Sequence, residues 1–293
     1  MERLSKKIMI MNVENKINEK PEILLSVVMP VHNGEKYLRK AIESVLSQTY
    51  AHFEYIIVND GSKDNSEIII KEFQQHDSRI RYIKLERNSG ISNALNVGIK
   101  ASQGEYIVRM DCDDINHAER FLKQLTYFKD HYAEVDVLGS WFCLFYDDTA
   151  DECKSVPVSA SDLYDGKPPV HHPTCMIKRS IFFNYGNYNS KYDNAEDFEL
   201  WSRWSSQGVL FHNLSEDLYK KRIHEGCVSV SRIKHQLYLM IKINIIALYK
   251  YHRRFTLAGY LRMLEQFSYF IYLGLRLNRI YRRTKPLDRM RDK

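Results

Sequence analysis

Apolar runs of five or six residues alternate with stretches of helical spacing along the first hundred residues. Leu25-Ser-Val-Val-Met29, Phe53-Glu-Tyr-Ile-Ile-Val58, Ile80-Arg-Tyr-Ile-Lys-Leu85 and Glu105-Tyr-Ile-Val-Arg-Met110 read as strands. Between them, Glu35 to Gln48, Asp64 to His76 (with Asp64 as cap) and Ile91 to Ala101 carry apolar residues three and four apart, which predicts helices. Strand–helix alternation with short links predicts parallel strands joined by right-handed crossovers. Past residue 115 the pattern changes. Residues 119–130 predict an amphipathic helix, 134–145 strand-rich chain, and 147–169 a polar excursion.

In an open parallel sheet, ligands gather beyond the carboxyl ends of the strands. The polar residues after three of these strands are Pro30-Val-His-Asn33, Asn59-Asp60-Gly61-Ser62 and Asp111-Cys-Asp113-Asp114. Topology alone therefore predicts that they share one edge. Asp111 and Asp113, two positions apart on extended backbone, point the same way. Such a pair can hold a hard divalent cation, Mn²⁺ or Mg²⁺, between protein and a diphosphate. Cys112 between them is expected to point away, into the fold. No G-x-G-x-x-G and no Walker lysine follow the first strand, only Asn33-Gly34, which argues against a dinucleotide oxidoreductase or P-loop NTPase.

Composition changes the picture in two places. The five cysteines, at 112, 143, 153, 175 and 227, have no disulfide or zinc spacing, so a reducing compartment is expected. Net charge is +6, yet residues 232–293 hold 15 Lys/Arg against 3 Asp/Glu, interleaved with aromatic and aliphatic residues. That pattern fits either an anionic membrane surface or helices packed on the domain with charged faces outward. Nucleic acid is not an expected partner, since no recognition motif accompanies the charge. Residues 1–22 form a polar leader too weakly apolar for a signal peptide, and no stretch reaches membrane-spanning length. A cytoplasmic location is expected, peripheral on the inner membrane face if the tail binds lipid.

The spaced motifs Ser26-Val-Val-Met-Pro30-Val-His-Asn33-Gly, Ser44-Val-Leu-Ser-Gln48-Thr-Tyr, Val58-Asn-Asp60-Gly61-Ser62-Lys-Asp64, Asn88-Ser-Gly90-Ile-Ser-Asn-Ala94-Leu-Asn96, Gly104-Glu-Tyr-Ile, Asp111-Cys-Asp113-Asp114 and Glu196-Asp197 together resemble the family 2 glycosyltransferases. The resemblance covers about residues 24–230. It implies an α/β GT-A fold, a Rossmann-like nucleotide-binding mixed sheet flanked by helices, here with a basic helical extension. Residues 23–115 would be the nucleotide-sugar half and 116–231 the acceptor and catalytic half.

The resemblance also implies roles. Pro30, His32, Asn33 and Asn88 would line the nucleotide pocket, and Asp60 would bond the base, usually uracil. Asp111 would touch ribose or metal, Asp113 the metal, and Asp197 would be the catalytic base. Arg222 and His224 match a late R-x-H element near the diphosphate or metal. Glu196 and His172, with His171, are candidate acceptor or phosphate contacts. Trp201 and Trp204 read as core.

The implied activity is metal-dependent, inverting transfer of one sugar, hexosyl or N-acetylhexosaminyl, from a nucleotide-diphospho-sugar such as a UDP-sugar. The acceptor would be a hydroxyl of a glycan or lipid-linked molecule in cell-surface polysaccharide synthesis. Two departures stand out: Ala118 replaces a common proline, and Leu200 stands where processive members carry Gln in Q-x-x-R-W. One sugar per encounter is therefore expected. The competing reading is a non-catalytic sugar-nucleotide-binding or membrane-scaffold protein on the same fold. A nucleotidyltransferase or phosphatase lacks its own signatures, with Ile115 where a phosphatase motif carries Thr or Val.

Overall fold

The computed structural model describes residues 22–146, 154–160, 167–224, 233–250 and 255–269. The polar leader, except Glu22, and the end of the basic tail from residue 270 lie outside them.

The predicted strands and helices of the first half all form: β1 (Leu25–Val31), α1 (Leu38–Leu46), β2 (Phe53–Asp60), α2 (Ser66–His76), β3 (Ile80–Leu85), α3 (Ile91–Ala101) and β4 (Tyr106–Arg109). β1 pairs in parallel with both β2 and β4, and β2 with β3. β1, β2 and β4 are buried at nearly every position because both faces are covered, whereas the edge strand β3 is half-buried and carries Arg81 and Lys84. Leu25, Val27, Met29, Tyr55, Ile57, Tyr106 and Val108 face one core with α1. Val28 and Ile107 face a second core, with Leu95 and Ile99 of α3.

The chain continues through β5 (Ile115–Asn116), α4 (Arg120–Asp130), β6 (Val137–Phe145), β7 (Lys154–Val156), β8 (Met176–Lys178), α5 (Arg179–Tyr185), α6 (Glu196–Ser205) and β9 (Phe211–Arg222). One mixed sheet results, in the order β3-β2-β1-β4-β8-β6-β9-β5, with β7 on β6. Trp201 and Trp204 of α6 are fully buried in the second core, as their spacing predicted. α7 (Ile233–Tyr249) then lies on α6, burying Leu239 and Ile243 against Ala195 and Phe198. A further helix covers 257–269.

Three local outcomes differ from expectation. α1 begins at Leu38, not Glu35, because Gly34 and Glu35 donate their backbone N–H groups to Ser66 Oγ and Asp64 Oδ2 of the next loop. β9 was not predicted. Its sequence, Phe-His-Asn-Leu-Ser-Glu-Asp-Leu-Tyr-Lys-Lys-Arg, lacks clean alternation because register shifts against β6 turn the side chains. Cys143 is disulfide-bonded, against the expectation drawn from spacing, so the cysteines do not by themselves place the chain in a reducing compartment.

Candidate active site

The three polar loops converge on one edge: hydrogen bonds lace the first two together, and Cys112 packs the third against the first. The β1–α1 turn needs Asn33 at positive φ, a conformation that asparagine tolerates better than most residues. Asn33 N donates to Ser62 Oγ at 3.0 Å, and Lys63 N donates to Asn33 Oδ1 at 2.8 Å. His32 Nδ1 lies 2.8 Å from the Asp60 carbonyl oxygen, with the ring exposed, and Pro30 is half-buried in β1. Cys112 packs its sulfur against Gly34, where an added Cβ would come within 3.2 Å. The cysteine thus points into the fold, and the flanking aspartates point out.

Asp60 is almost wholly buried. Its Oδ1 accepts from Ser89 N and Oγ, both at 2.8 Å, and its Oδ2 from Gly90 N at 3.0 Å. The carboxylate therefore shapes the 88–90 loop that opens α3, and Asn88 is exposed on that loop. Gly61 (φ +64°) lets the chain pass under it.

The acidic turn after β4 is held by the end of β9. Asp111 N donates to Tyr219 Oη at 3.2 Å, and Arg222 N donates to Asp114 Oδ1 at 2.7 Å. Arg222 Nε donates to the Asp113 carbonyl at 2.8 Å, while its guanidinium is sandwiched 4.5 Å from the rings of Tyr37 and Phe145. His224 Nε2 lies 3.0 Å from Asp113 Oδ2, its ring 4.9 Å from Tyr37. So Arg222 and His224 do meet the acidic turn, Arg222 through backbone and stacking contacts.

Carboxylate oxygens of Asp111, Asp113 and Asp114 lie within 4.8 Å of one another. Burial, then the neighbouring Asp111 charge, pushes the Asp113 carboxyl up; burial and both neighbours push Asp114 well above the usual range. Carboxylates this crowded, with Asp113 and Asp114 pushed up by burial and by their neighbours, are a fitting donor set for a hard divalent cation, which would relieve that repulsion. Asp111 and Asp113 are the accessible pair; Asp114 is turned inward onto β9.

Across the edge, Glu196 and Asp197 open α6, whose first turn holds three acids that suit the positive helix end. Asn194 takes φ +83° and donates its N–H to Glu196 Oε2 at 2.8 Å. Burial and then Asp197 push the Glu196 carboxyl up to about 8. Burial also raises Asp197, opposed by its bond from Phe198 N and by the charges of Arg109 and Lys221. Asp193, just before this turn, packs its carboxylate on the bare α-carbon of Gly90, joining the Asp60-shaped loop to the α6 entrance.

His172 is buried beneath α6, its Nε2 2.7 Å from Tyr188 Oη and its ring edge-on to Trp201. Burial and the charge of Arg109 keep it neutral, well below the ordinary range. His171 stacks on Phe142 at 3.8 Å. His172 is thus buried and engaged inside the fold, and His171 packs on β6. Sequence reading passed over Tyr37, Tyr219 and Arg109. Only Arg109 left a signal, a charge inside an otherwise apolar strand.

The profile of Glycosyl transferase family 2 matches residues 26–186. An uncharacterized glycosyltransferase of Methanocaldococcus jannaschii is 34% identical over 75% of this chain and 78% of its own length. The minor teichoic acid biosynthesis protein GgaB of Bacillus subtilis is 32% identical over 68% of this chain, but over 23% of its own length. Among solved structures, Staphylococcus aureus TarS (residues 1–349) with UDP-GlcNAc superposes with TM-score 0.64 at 21% identity, covering 78% of this chain and 67% of TarS. The mannosyltransferase PcManGT of Pyrobaculum calidifontis, with GDP-Man and Mn²⁺, gives 0.61 at 14% identity, covering 84% and 69%. These likenesses show the GT-A-type fold, and with the profile match and the relatives' identity the chain belongs to glycosyl transferase family 2, as a glycosyltransferase.

Proposed function

We propose that the protein transfers a single sugar from a nucleotide-diphospho-sugar, a UDP-sugar first, to a hydroxyl of a glycan or lipid-linked acceptor, with inversion. The observation that carries this reading is the acidic cluster beyond β4, where carboxylate oxygens of Asp111, Asp113 and Asp114 lie within 4.8 Å of one another, together with the acidic pair Glu196 and Asp197 that opens α6. Related proteins supply the wider setting: TarS binds UDP-GlcNAc, PcManGT binds GDP-Man with Mn²⁺, and GgaB is named for teichoic acid synthesis. GgaB's name supports the part of this reading that sets the protein in surface-glycan assembly.

In this mechanism, the exposed His32, Asn33 and Asn88 bind the nucleoside over a platform that Asp60 shapes. Asp111 and Asp113, with His224 beside them, would hold Mn²⁺ or Mg²⁺, which supplies Lewis-acid stabilisation for a departing diphosphate. A sugar hydroxyl has a pKa far above neutrality, so its proton must leave as the new bond forms. Asp197 takes that proton, a contribution of about 10²–10⁴-fold. Burial makes its carboxylate a stronger base than a free aspartate, which suits the task. Attack from the face opposite the diphosphate inverts the anomeric centre without a covalent intermediate.

Replacing Asp197 by Asn tests the reading against a purely binding role. Transfer or donor hydrolysis should fall by about 10² or more, with UDP-sugar binding by calorimetry unchanged. A wild-type protein that binds the donor in Mn²⁺ yet turns over no UDP-, GDP- or dTDP-sugar would favour the non-catalytic alternative.

A further inference from the structure

Between α6, the short turn Ser190–Tyr192 and the end of α7, the described residues line a cavity of about 400 Å³. That volume is in the range of small-molecule sites, ~300–1,000 Å³. Residues two apart on a helix project about 200° apart, so the cavity at Glu199 lies across α6 from Asp197.

One wall is polar. Glu199, 8% exposed, accepts from Arg203 Nε at 3.0 Å and from Nη2 at 3.2 Å. The remaining N–H groups of Arg203 donate to the Tyr185, Gly186 and Asn187 carbonyls. The guanidinium is thus fully engaged, while each Glu199 oxygen keeps a lone pair that can accept from a hydroxyl. Asn189 Oδ1 accepts from Lys191 N at 3.2 Å, which leaves its Nδ2 to donate.

The facing wall is apolar and comes from α7: Ile245 and Ile246, with Tyr249 at the helix end. Tyr249 is 79% exposed, a large ring left at the rim beside Lys250. Lys242 Nζ stands 5.4 Å over the Tyr192 ring, so Tyr249 offers the more open aromatic face.

The two walls make opposite demands. A wholly apolar ligand would bury the ion pair and the amide against hydrocarbon, which costs free energy. An anion would meet the Glu199 carboxylate, with the neighbouring guanidinium already spent. A pyranose satisfies both walls: its C–H face covers Tyr249 and the isoleucines, and its hydroxyl edge donates to Glu199 and accepts from Asn189. We propose that this cavity binds a neutral saccharide unit, at a site separate from the nucleotide-sugar edge. It holds a unit of a glycan remote from the reacting end. The inference does not depend on the reading of Asp197 as base.

The test is saturation-transfer NMR on the full chain, with the methyl glycosides of glucose, galactose, mannose, N-acetylglucosamine and N-acetylgalactosamine. Excess UDP and Mn²⁺ fill the donor site. At least one glycoside should receive saturation and titrate. Its affinity should fall about tenfold or more in Tyr249→Ala, and stay within about twofold in Tyr249→Phe, which keeps the ring. Tyr249 is at the surface, so neither change threatens the fold, and donor hydrolysis should match wild type in both. Absence of binding by all five glycosides, or undiminished binding in Tyr249→Ala, overturns the inference. Inorganic phosphate is the competing chemistry. Phosphate that displaces the glycoside and is itself lost in Lys250→Ala would overturn the saccharide assignment. Glycoside binding by a chain that turns over no donor would support this site and remove only the transferase reading.

Discussion

His224 Nε2 lies 3.0 Å from Asp113 Oδ2, although 111 residues separate them. The contact closes β9 onto the acidic turn of β4 and puts a nitrogen donor beside the carboxylate proposed to hold the cation. His224→Ala should therefore weaken Mn²⁺ binding in the presence of UDP by about 10–100-fold, the usual loss for a ligand's partner. Calorimetric titration with Mn²⁺ checks this, and an unaltered affinity would remove His224 from the site.

Glu196 binds its proton more tightly when folded than an ordinary glutamate does, up to about 8 against 4.5. The native state therefore carries a proton that the unfolded chain lacks across that interval. Its stabilising effect is fully present below the lower value and is lost as pH rises through the upper one. Thermal midpoints should fall from about pH 5 to about pH 8. Asp113 and Asp114, also pushed up, act in the same direction. Glu196→Gln should lessen the slope without abolishing it. A slope identical to wild type would assign the effect elsewhere.

Gly61 combines φ +64° with backbone so near that an added Cβ would sit 2.5 Å from Asn88 N. Gly61→Ala strains the turn and pushes away the loop that Asp60 organises. We expect a loss of more than about 1 kcal/mol by denaturant titration, since alanine is incompatible with both conformation and space. Donor affinity should drop as well. Full stability in the variant would mean that the 86–90 loop yields easily.

Helix 257–269 presents Leu257, Leu261 and Leu264 to solvent at helical spacing, at 76%, 58% and 64% exposure. With the basic excess of residues 232–293, this stripe fits an anionic bilayer surface. α7 is a poor target for deletion because it covers Phe198, next to Asp197. Replacing the three leucines by serine leaves the core intact. Sedimentation with phosphatidylglycerol vesicles should then fall at least tenfold, each buried leucine being worth about 1.5–3 kcal/mol. Unchanged sedimentation would exclude this helix as the contact. No helix among the described residues is long and apolar enough to cross a membrane.

Periodicity alone determined the first half of the fold. Strands buried on both faces must be mostly apolar, and amphipathic helices must repeat near 3.6, so β1, β2, β4 and α1 to α3 were readable from local pattern, with β3 following from the alternation of the elements around it. The convergence of Asp60 and Asp111–Asp113 was readable too, because parallel topology places successive loops on one edge.

Contacts between distant segments were not readable that way. β9 is polar and irregular, and only its pairing with β6 and β5 makes it a strand. Through that pairing, Tyr219, Arg222 and His224 reach an acidic turn about a hundred residues earlier. The same holds for Asp60, whose carboxylate the sequence offered to a nucleotide base and the folded chain engages with Ser89 and Gly90. Local pattern encodes burial and period, both properties of a few neighbouring residues. The partners of a side chain, and the charges it must answer, exist only once the whole sheet has closed around it.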